Sequence, residues 1–385
     1  YGLVGSEMCI RDRLAHVIDY GFHLYLGRSL DAAGFASFQS YFSLAMLFIT
    51  LGGILQAPVA RYVAAPPHTP QGPASSGAVV RAYLWQGAAL GLLVGAALAL
   101  GAPLVAAATR LPTAMLRLIA VAMPLALVRP VLLGLLQGQS RFGSLGAITL
   151  LYAVARLLLA LVGIGLAAGS CAASSAFCAA LTVPLALFLA VILGLLLSRS
   201  SLREPGRLPW SIARQGWGLS FVTLIMATAF MALTSLDVVW VNRTMAADLA
   251  GAYARALVLR RIVSFIPLVT GVVLLPRVAA AGARAGRAIA LAVSLALLSG
   301  VALTALYAFF GGAIDRLAFG VQTPASTFWL VGMALAMTGY GLVTIWINVS
   351  IATRPVPQPA SSTGPLPAKS RAHFFCSREG GKRRS

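Results

Sequence analysis

The chain has 385 residues, 59% of them hydrophobic and 10% charged, with a net charge of +20 from 29 basic and 9 acidic side chains. Soluble globular chains carry about 25% charged residues, so this composition excludes a water-facing globular surface and indicates an integral membrane protein. In a polytopic chain the basic excess follows from arginine-rich loops on the cytoplasmic side, which removes the case for nucleic acid as a partner.

Residues 1–13, YGLVGSEMCIRDR, lack an initiator Met and read as a non-native N-terminal segment, set apart from the fold. Residues 14–28 form a short amphipathic helix, incomplete at its start. Nine apolar runs follow, near 34–64, 79–108, 111–137, 142–168, 171–197, 213–241, 249–275, 286–312 and 324–352. Each is long enough to cross a hydrocarbon core, which takes about 20 helical residues. The expected fold class is therefore an all-α polytopic membrane bundle with ten helices present. Residues 353–385, with five prolines and the ending FFCSREGGKRRS, read as a Pro-rich basic tail, disordered or frameshifted.

Loop charges orient the helices. Connections after even-numbered helices carry ten arginines: Arg61, Arg81, Arg141, Arg199, Arg203, Arg207, Arg214, Arg277, Arg284 and Arg287. Connections after odd-numbered helices carry five, Arg28, Arg110, Arg117, Arg243 and Arg316, and three of these have Asp31, Asp248 or Asp315 nearby. The arginine-rich side is cytoplasmic, which puts both termini inside. The longest loops, near 65–78 and 198–212, then lie inside as well, and no outer loop has room for a folded domain.

An internal repeat suggests the architecture. The stretch Leu26–Ala64 can be laid on Asn242–Ala279, so that Asp31 and Gly34 match Asp248 and Gly251, and Pro58 and Arg61 meet Pro276 and Arg277 after a slip of a residue or two. Six helices separate the copies, an even number, so the two lobes share one orientation. The lobes are expected at 14–197 and 213–352, joined by a cytoplasmic linker at 198–212. Transporters built this way hold their substrate between the lobes near the midplane and alternate its access by rocking one lobe against the other.

Charged residues inside the spans are the candidates for chemistry. Each costs about 2.5 to 3.5 kcal/mol on insertion scales and faces a bundle interior or a watery cavity. Arg129 and Arg156 fall near the midplane, 12 residues before and 15 after the cytoplasmic Arg141. Arg260 and Arg261 lie in the middle of the eighth helix, and a separation of about 100° between neighbours allows only one of them to point straight into a cavity. Asp237 is the one acid deep in a complete span, and Arg255 lies at matching depth on the next helix, so an Asp237–Arg255 ion pair is expected. With one acid against five arginines the cavity is positive, and guanidinium groups match phosphate oxygens bidentately. A pyrophosphate head group fits such a cavity.

No Walker-type loop, Ser/His/Asp set, paired carboxylates or metal-ligand cluster occurs, so the residues suggest no enzyme, cofactor or metal site.

Three stretches carry a family resemblance: 27–64, 129–167 and 236–279. The telling motifs are G-x-x-Q-G-x-x-R-F at Gly134, Gln137, Gly138, Arg141 and Phe142, and D-x-x-x-V … A-G-x-Y at Asp237, Val241, Ala250, Gly251 and Tyr253. Over Leu14–Ala352 the chain resembles the polysaccharide biosynthesis flippases of the multidrug, oligosaccharidyl-lipid and polysaccharide exporter superfamily. The resemblance implies translocation of a polyprenyl-diphosphate-linked oligosaccharide across the cytoplasmic membrane, with membrane lipids, polysaccharide polymerases and glycosyltransferases as partners. It also implies twelve or more helices in two lobes of six, of which the second lobe here has four. The other readings are a cation-coupled drug antiporter of the same superfamily, a membrane-embedded glycosyltransferase or polymerase, and a non-functional fragment. The antiporter needs intramembrane acids, and the first lobe offers only Asp19. The short outer loops disfavour the glycosyltransferase.

Overall fold

The computed structural model describes residues 2–50, 52–64, 76–170, 174–204, 236–263, 286–321 and 323–353, with scattered positions between 225 and 235. The described residues form helices and turns only. In chain order the helices are α1 (Gly2–Ser29), α2 (Ala32–Thr50), α3 (Gly53–Ala64), α4 (Ser76–Thr109), α5 (Thr113–Gly138), α6 (Phe142–Ser170), α7 (Ser175–Leu197) and the short α8 (Arg199–Leu202). They continue with α9 (Asp237–Thr244), α10 (247–263), α11 (Gly286–Phe319) and α12 (Pro324–Thr353). Among the described residues seven segments are long and apolar enough to cross a membrane, with α2 and α3 counted as one. Most of the run expected at 213–241, the second half of 249–275, Pro276, Arg277, much of the linker and the tail lie outside the described residues.

Short polar signals start and stop these helices. The Asp31 carboxylate accepts a hydrogen bond from the Gly34 N–H at 3.1 Å, which satisfies one of the orphan donors at the start of α2. Ser174 does the same for α7 through the Phe177 N–H at 3.3 Å. Gly320, at φ +74°, turns the chain at the end of α11, a conformation open to a residue without Cβ. Two features differ from the sequence reading. α1 runs without a break from Gly2, so the backbone of the opening segment continues the helix. The run at 34–64 is interrupted around Gly52, where a Cβ would meet the Ala126 carbonyl and the Pro130 ring, each at 2.7 Å.

Helices α1–α8 form one group, held by small residues at close crossings. Gly87, Gly91 and Gly95 repeat every four residues along the face of α4 that meets α5. A Cβ at Gly91 would lie 2.5 Å from the Pro124 Cα, and one at Gly95 would lie 2.5 Å from the Ala120 carbonyl. In lipid, where apolar burial drives helix association weakly, such approach of backbones supplies much of the contact energy. Gly134 and Gly138 serve the α5–α3 crossing in the same way, against the carbonyls of Gln56 and Ala60. Gln137 accepts a hydrogen bond from Gln56 at 3.0 Å, and Arg141 donates to the Leu197 carbonyl at 3.0 Å. Much of the G-x-x-Q-G-x-x-R-F motif is thus a set of helix-crossing contacts.

The second group comprises α9–α12. Its contacts with the first include one end of the molecule, the end that the arginine distribution assigns to the outside. Arg28 at the end of α1 donates to the Ala318 and Leu317 carbonyls, at 2.8 and 2.5 Å, and so caps the C-terminus of α11. The rings of Phe35 and Phe319 stand 6.0 Å apart, and Gly251 rests on Ala32, where a Cβ would come within 2.7 Å of the Ala32 Cβ. The two copies of the Asp-x-x-Gly turn therefore lie beside one another, around a small cavity of about 160 Å³ that both Asp31 and Asp248 line.

The α4–α5 crossing yields a stability prediction. Gly91→Leu forces a side chain into the Pro124 backbone and should cost about 1 to 3 kcal/mol, as overpacking does, read as a lowered Tm in detergent. Gly163→Leu, with nothing within 4 Å of a Cβ, should leave Tm unchanged.

Candidate functional site

A cavity of about 450 Å³ lies between the two groups of helices. Asp19 of α1, Phe42, Ser43 and Met46 of α2, and Tyr152 and Arg156 of α6 form one wall. Leu257, Arg260 and Arg261 of α10, Met337 and Tyr340 of α12, and Met231 and Ser235 form the other.

Its charges are arranged in pairs. The Asp19 carboxylate is shared: one oxygen meets Arg156 of its own group, and the other lies 3.3 Å from Nη1 of Arg261 across the cleft. Arg156 is 1% exposed, and its guanidinium sits 4.4 Å from the Phe22 ring centroid and 5.1 Å from that of Phe42. These ring faces favour the cation electrostatically and stand in for part of the solvation it has lost. Beside it His23 and Gln39, both fully buried, meet at 3.0 Å.

Asp237 at the start of α9 binds Arg260 at 2.7 Å and accepts the Tyr253 hydroxyl at 2.8 Å. Arg255 takes another partner: its Nε lies 3.3 Å from Asp315, which also accepts the Ser326 hydroxyl at 2.6 Å. The expected Asp237–Arg255 pair is therefore replaced by Asp237–Arg260 and Arg255–Asp315. Depth alone does not select a partner; azimuth decides. Tyr253 and Arg260 are seven residues apart and share a helix face, whereas Arg255 is displaced by about 200° from Tyr253 and reaches Asp315 of α11.

Two other expectations change. Both Arg260 and Arg261 line the cavity, because a long guanidino side chain reaches round the helix and each finds a carboxylate on a different neighbour. Two further acids, Asp19 and the 1% exposed Asp315 near the end of α11, pair with the candidate arginines. Asp315 lies three residues beyond the end of its apolar run, and α11 continues past it to Phe319. The sequence signal available for Asp19 is its place on the polar face of an amphipathic segment. His23 and Gln39 carry no signal of their own.

Arg129 on α5 differs from the others. Among the described residues it has no carboxylate partner, its Nε makes no hydrogen bond, and its guanidinium stands 4.9 Å from the centroid of Tyr152. Among the described residues Arg129, Arg156, Arg255, Arg260 and Arg261 are thus answered by Asp19, Asp237 and Asp315, leaving an excess of two positive charges. The repeat residues Asp31, Gly34, Asp248 and Gly251 lie at the closed end, away from this cavity. Among the described residues no three His, Cys, Asp or Glu side chains converge as a metal site requires.

No protein-family model and no curated protein sequence matches the chain. Its fold is similar to solved membrane-transport structures. The lipid II flippase MurJ in an inward closed conformation superposes with a TM-score of 0.70 at 11% identity, over 90% of this chain and 75% of that one. An inward-facing multidrug resistance MATE family transporter of the MOP superfamily gives 0.60 at 14% identity, over 90% and 87%. The MATE multidrug transporter DinF-BH gives 0.61 at 15%, over 91% and 81%. At such identities the likeness establishes the fold alone, an all-α multi-pass helical bundle.

The shared carboxylate makes a prediction. Asp19→Asn leaves Arg156 buried against aromatic rings with no anion beside it, and breaking a buried pair in this way should cost about 3 to 5 kcal/mol. Thermal denaturation in detergent should show a large drop in Tm for Asp19→Asn and partial recovery in Asp19→Asn/Arg156→Met.

Proposed function

We propose that the chain is a flippase that translocates a polyprenyl-diphosphate-linked oligosaccharide across the cytoplasmic membrane by alternating access. One observation carries this reading: the cleft between the two groups of helices holds more guanidinium than carboxylate. A diphosphate diester carries two negative charges, and planar guanidinium forks match its oxygens bidentately. An anion of that kind restores neutrality where each uncompensated charge is costly.

The fold supports this reading. The two groups act as lobes, 14–197 and 213–352, with both termini cytoplasmic. Contacts at the outer end, Arg28 on the α11 carbonyls and Gly251 on Ala32, close the cleft on that side. Loading from the cytoplasm is the direction that a lipid-linked precursor made there requires. The motifs at Gly134–Phe142 and Asp237–Tyr253 resemble those of polysaccharide flippases, and the similarity to a protein described as a lipid II flippase points the same way. Polymerases and glycosyltransferases of cell-surface polysaccharide synthesis are the partners this reading brings with it.

A second reading has its own observation. Phe42, Met46, Met231, Leu257, Met337 and Tyr340 give the cavity a broad apolar and thioether surface. Such walls adapt to varied ligands, as a cation-coupled multidrug antiporter needs, and Asp19 supplies a carboxylate in the cleft. The arginine excess works against organic cations and favours the flippase.

The test is translocation in proteoliposomes, with a fluorescent lipid-diphosphate oligosaccharide and, separately, a cationic dye. Wild-type protein should move the lipid across the bilayer. Arg129→Gln and Arg261→Gln should each slow it roughly tenfold or more, the equivalent of losing about 1.4 kcal/mol or more of interaction with the head group. Dye transport with no lipid translocation selects the antiporter. Wild-type lipid rates in both variants sink the guanidinium mechanism.

A further inference from the structure

Tyr152 stands out among the cavity side chains by the polar groups gathered round its ring. It lies on α6 one helical turn before Arg156, the spacing at which two side chains share a face. The Arg156 guanidinium sits 5.0 Å from its ring centroid, and the Arg129 guanidinium of α5 sits 4.9 Å from the same centroid. The ring thus touches both an arginine paired with a carboxylate and one that has none, and it lines the central cavity. Its hydroxyl is buried and has no hydrogen-bond partner, and the Nε groups of Arg129 and Arg156 are in the same condition.

Leaving such groups unmet is costly: a buried hydroxyl without a partner loses about 1 to 3 kcal/mol, and a charged group more. Three orphaned donors around one ring, beside a cavity, form a cradle for an acceptor-rich group. A carboxamide or a sugar hydroxyl satisfies one of them. A phosphate or diphosphate, with several anionic oxygens in a compact volume, offers acceptors to more than one of them and supplies the charge that Arg129 lacks.

We propose that Tyr152 is the specificity-determining residue of the anion site. Its ring holds Arg129 and Arg156 by cation–π contact, and its hydroxyl donates to a phosphate oxygen. This role rests on the diphosphate reading of the cavity and deepens it. The phenol selects the oxyanion over other anions by a directional hydrogen bond, while the two arginines supply attraction.

The experiment is binding of inorganic pyrophosphate and of farnesyl diphosphate to the full chain in nanodiscs, by calorimetry, with Tm recorded for every variant. Tyr152→Phe keeps the ring and loses the hydroxyl, and should weaken both ligands roughly tenfold without lowering Tm. The ultraviolet difference signal that a phenol gives on hydrogen bonding to the ligand should vanish in that variant. Tyr152→Leu should weaken binding further, and Tyr152→Leu/Arg129→Gln should bind no worse than the poorer single variant, since residues acting as one unit are non-additive. If Tyr152→Phe binds both probes like wild type, the role of Tyr152 is overturned and the diphosphate reading stands. If wild-type protein binds neither probe, the diphosphate reading falls and takes this inference with it. Should Tyr152→Leu fail to fold, Tyr152→Phe and its difference spectrum decide alone.

Discussion

Burying a guanidinium in a bilayer is expensive, and much of the arrangement of this protein follows from how that cost is met. Arg156 is enclosed by Phe22, Phe42 and Tyr152 and takes one oxygen of Asp19, while the other oxygen reaches Arg261 on the opposite wall. One carboxylate cannot fully neutralise two arginines. The shared Asp19 therefore ties the two groups of helices together while leaving the cleft between them positive. Arg260 with Asp237, and Arg255 with Asp315, are satisfied within the second group, so their charges add little to the field in the cleft. The attraction for an anion concentrates near Arg156, Arg261 and Arg129.

The contacts within the first group differ in kind from those between the groups. Within it, Gly87, Gly91, Gly95, Gly134 and Gly138 bring backbones close enough that a methyl group would not fit, and such crossings resist sliding. Between the groups, the contacts among the described residues include a capping arginine, a shared carboxylate, a hydroxyl from Ser40 to the Val238 carbonyl at 3.2 Å, the Phe35–Phe319 ring contact and the meeting of two small-residue turns. The neutral hydrogen bonds among them contribute only about 0.5 to 1.5 kcal/mol each and can be exchanged for others at little net cost. An exchangeable seam is what the proposed alternating access requires.

Much of this is legible in the sequence, and the misses have a common cause. Runs of apolar residues mark α4 to α7, α11 and α12, because span length is fixed by the bilayer. Asp31-x-x-Gly34 marks a helix start, because capping is local. What sequence lacks is azimuth and reach. Matching Asp237 to Arg255 uses depth alone, and depth is one of three coordinates. Asp315 looks like a loop residue because hydropathy ends a span where the apolar run ends, whereas α11 continues until Gly320 turns the chain. The glycines of α4 stand among Ala and Leu in an ordinary apolar run, and their role shows only once Pro124 and Ala120 are seen against them. The interruption at Gly52 is of the same type: its cause is the Ala126 carbonyl and the Pro130 ring on another helix.

These corrections change what the charge means. Read from sequence, one acid stands against five arginines, and an excess of four would hold an anion too firmly to release it. The structure supplies Asp19 and Asp315 and reduces the excess to two. On the proposed reading, a carrier must bind well enough to load and weakly enough to unload, and an excess of two matches the charge of a diphosphate diester. When such an anion sits in the cleft, Asp19 competes with it for Arg156 and Arg261. That competition lowers affinity, but it leaves both arginines partnered whenever the site is empty. An empty cleft with no such stand-in would leave Arg156 as an uncompensated buried charge, the costliest state available to it. On that reading Asp19 stabilises the unloaded protein and loosens the loaded one.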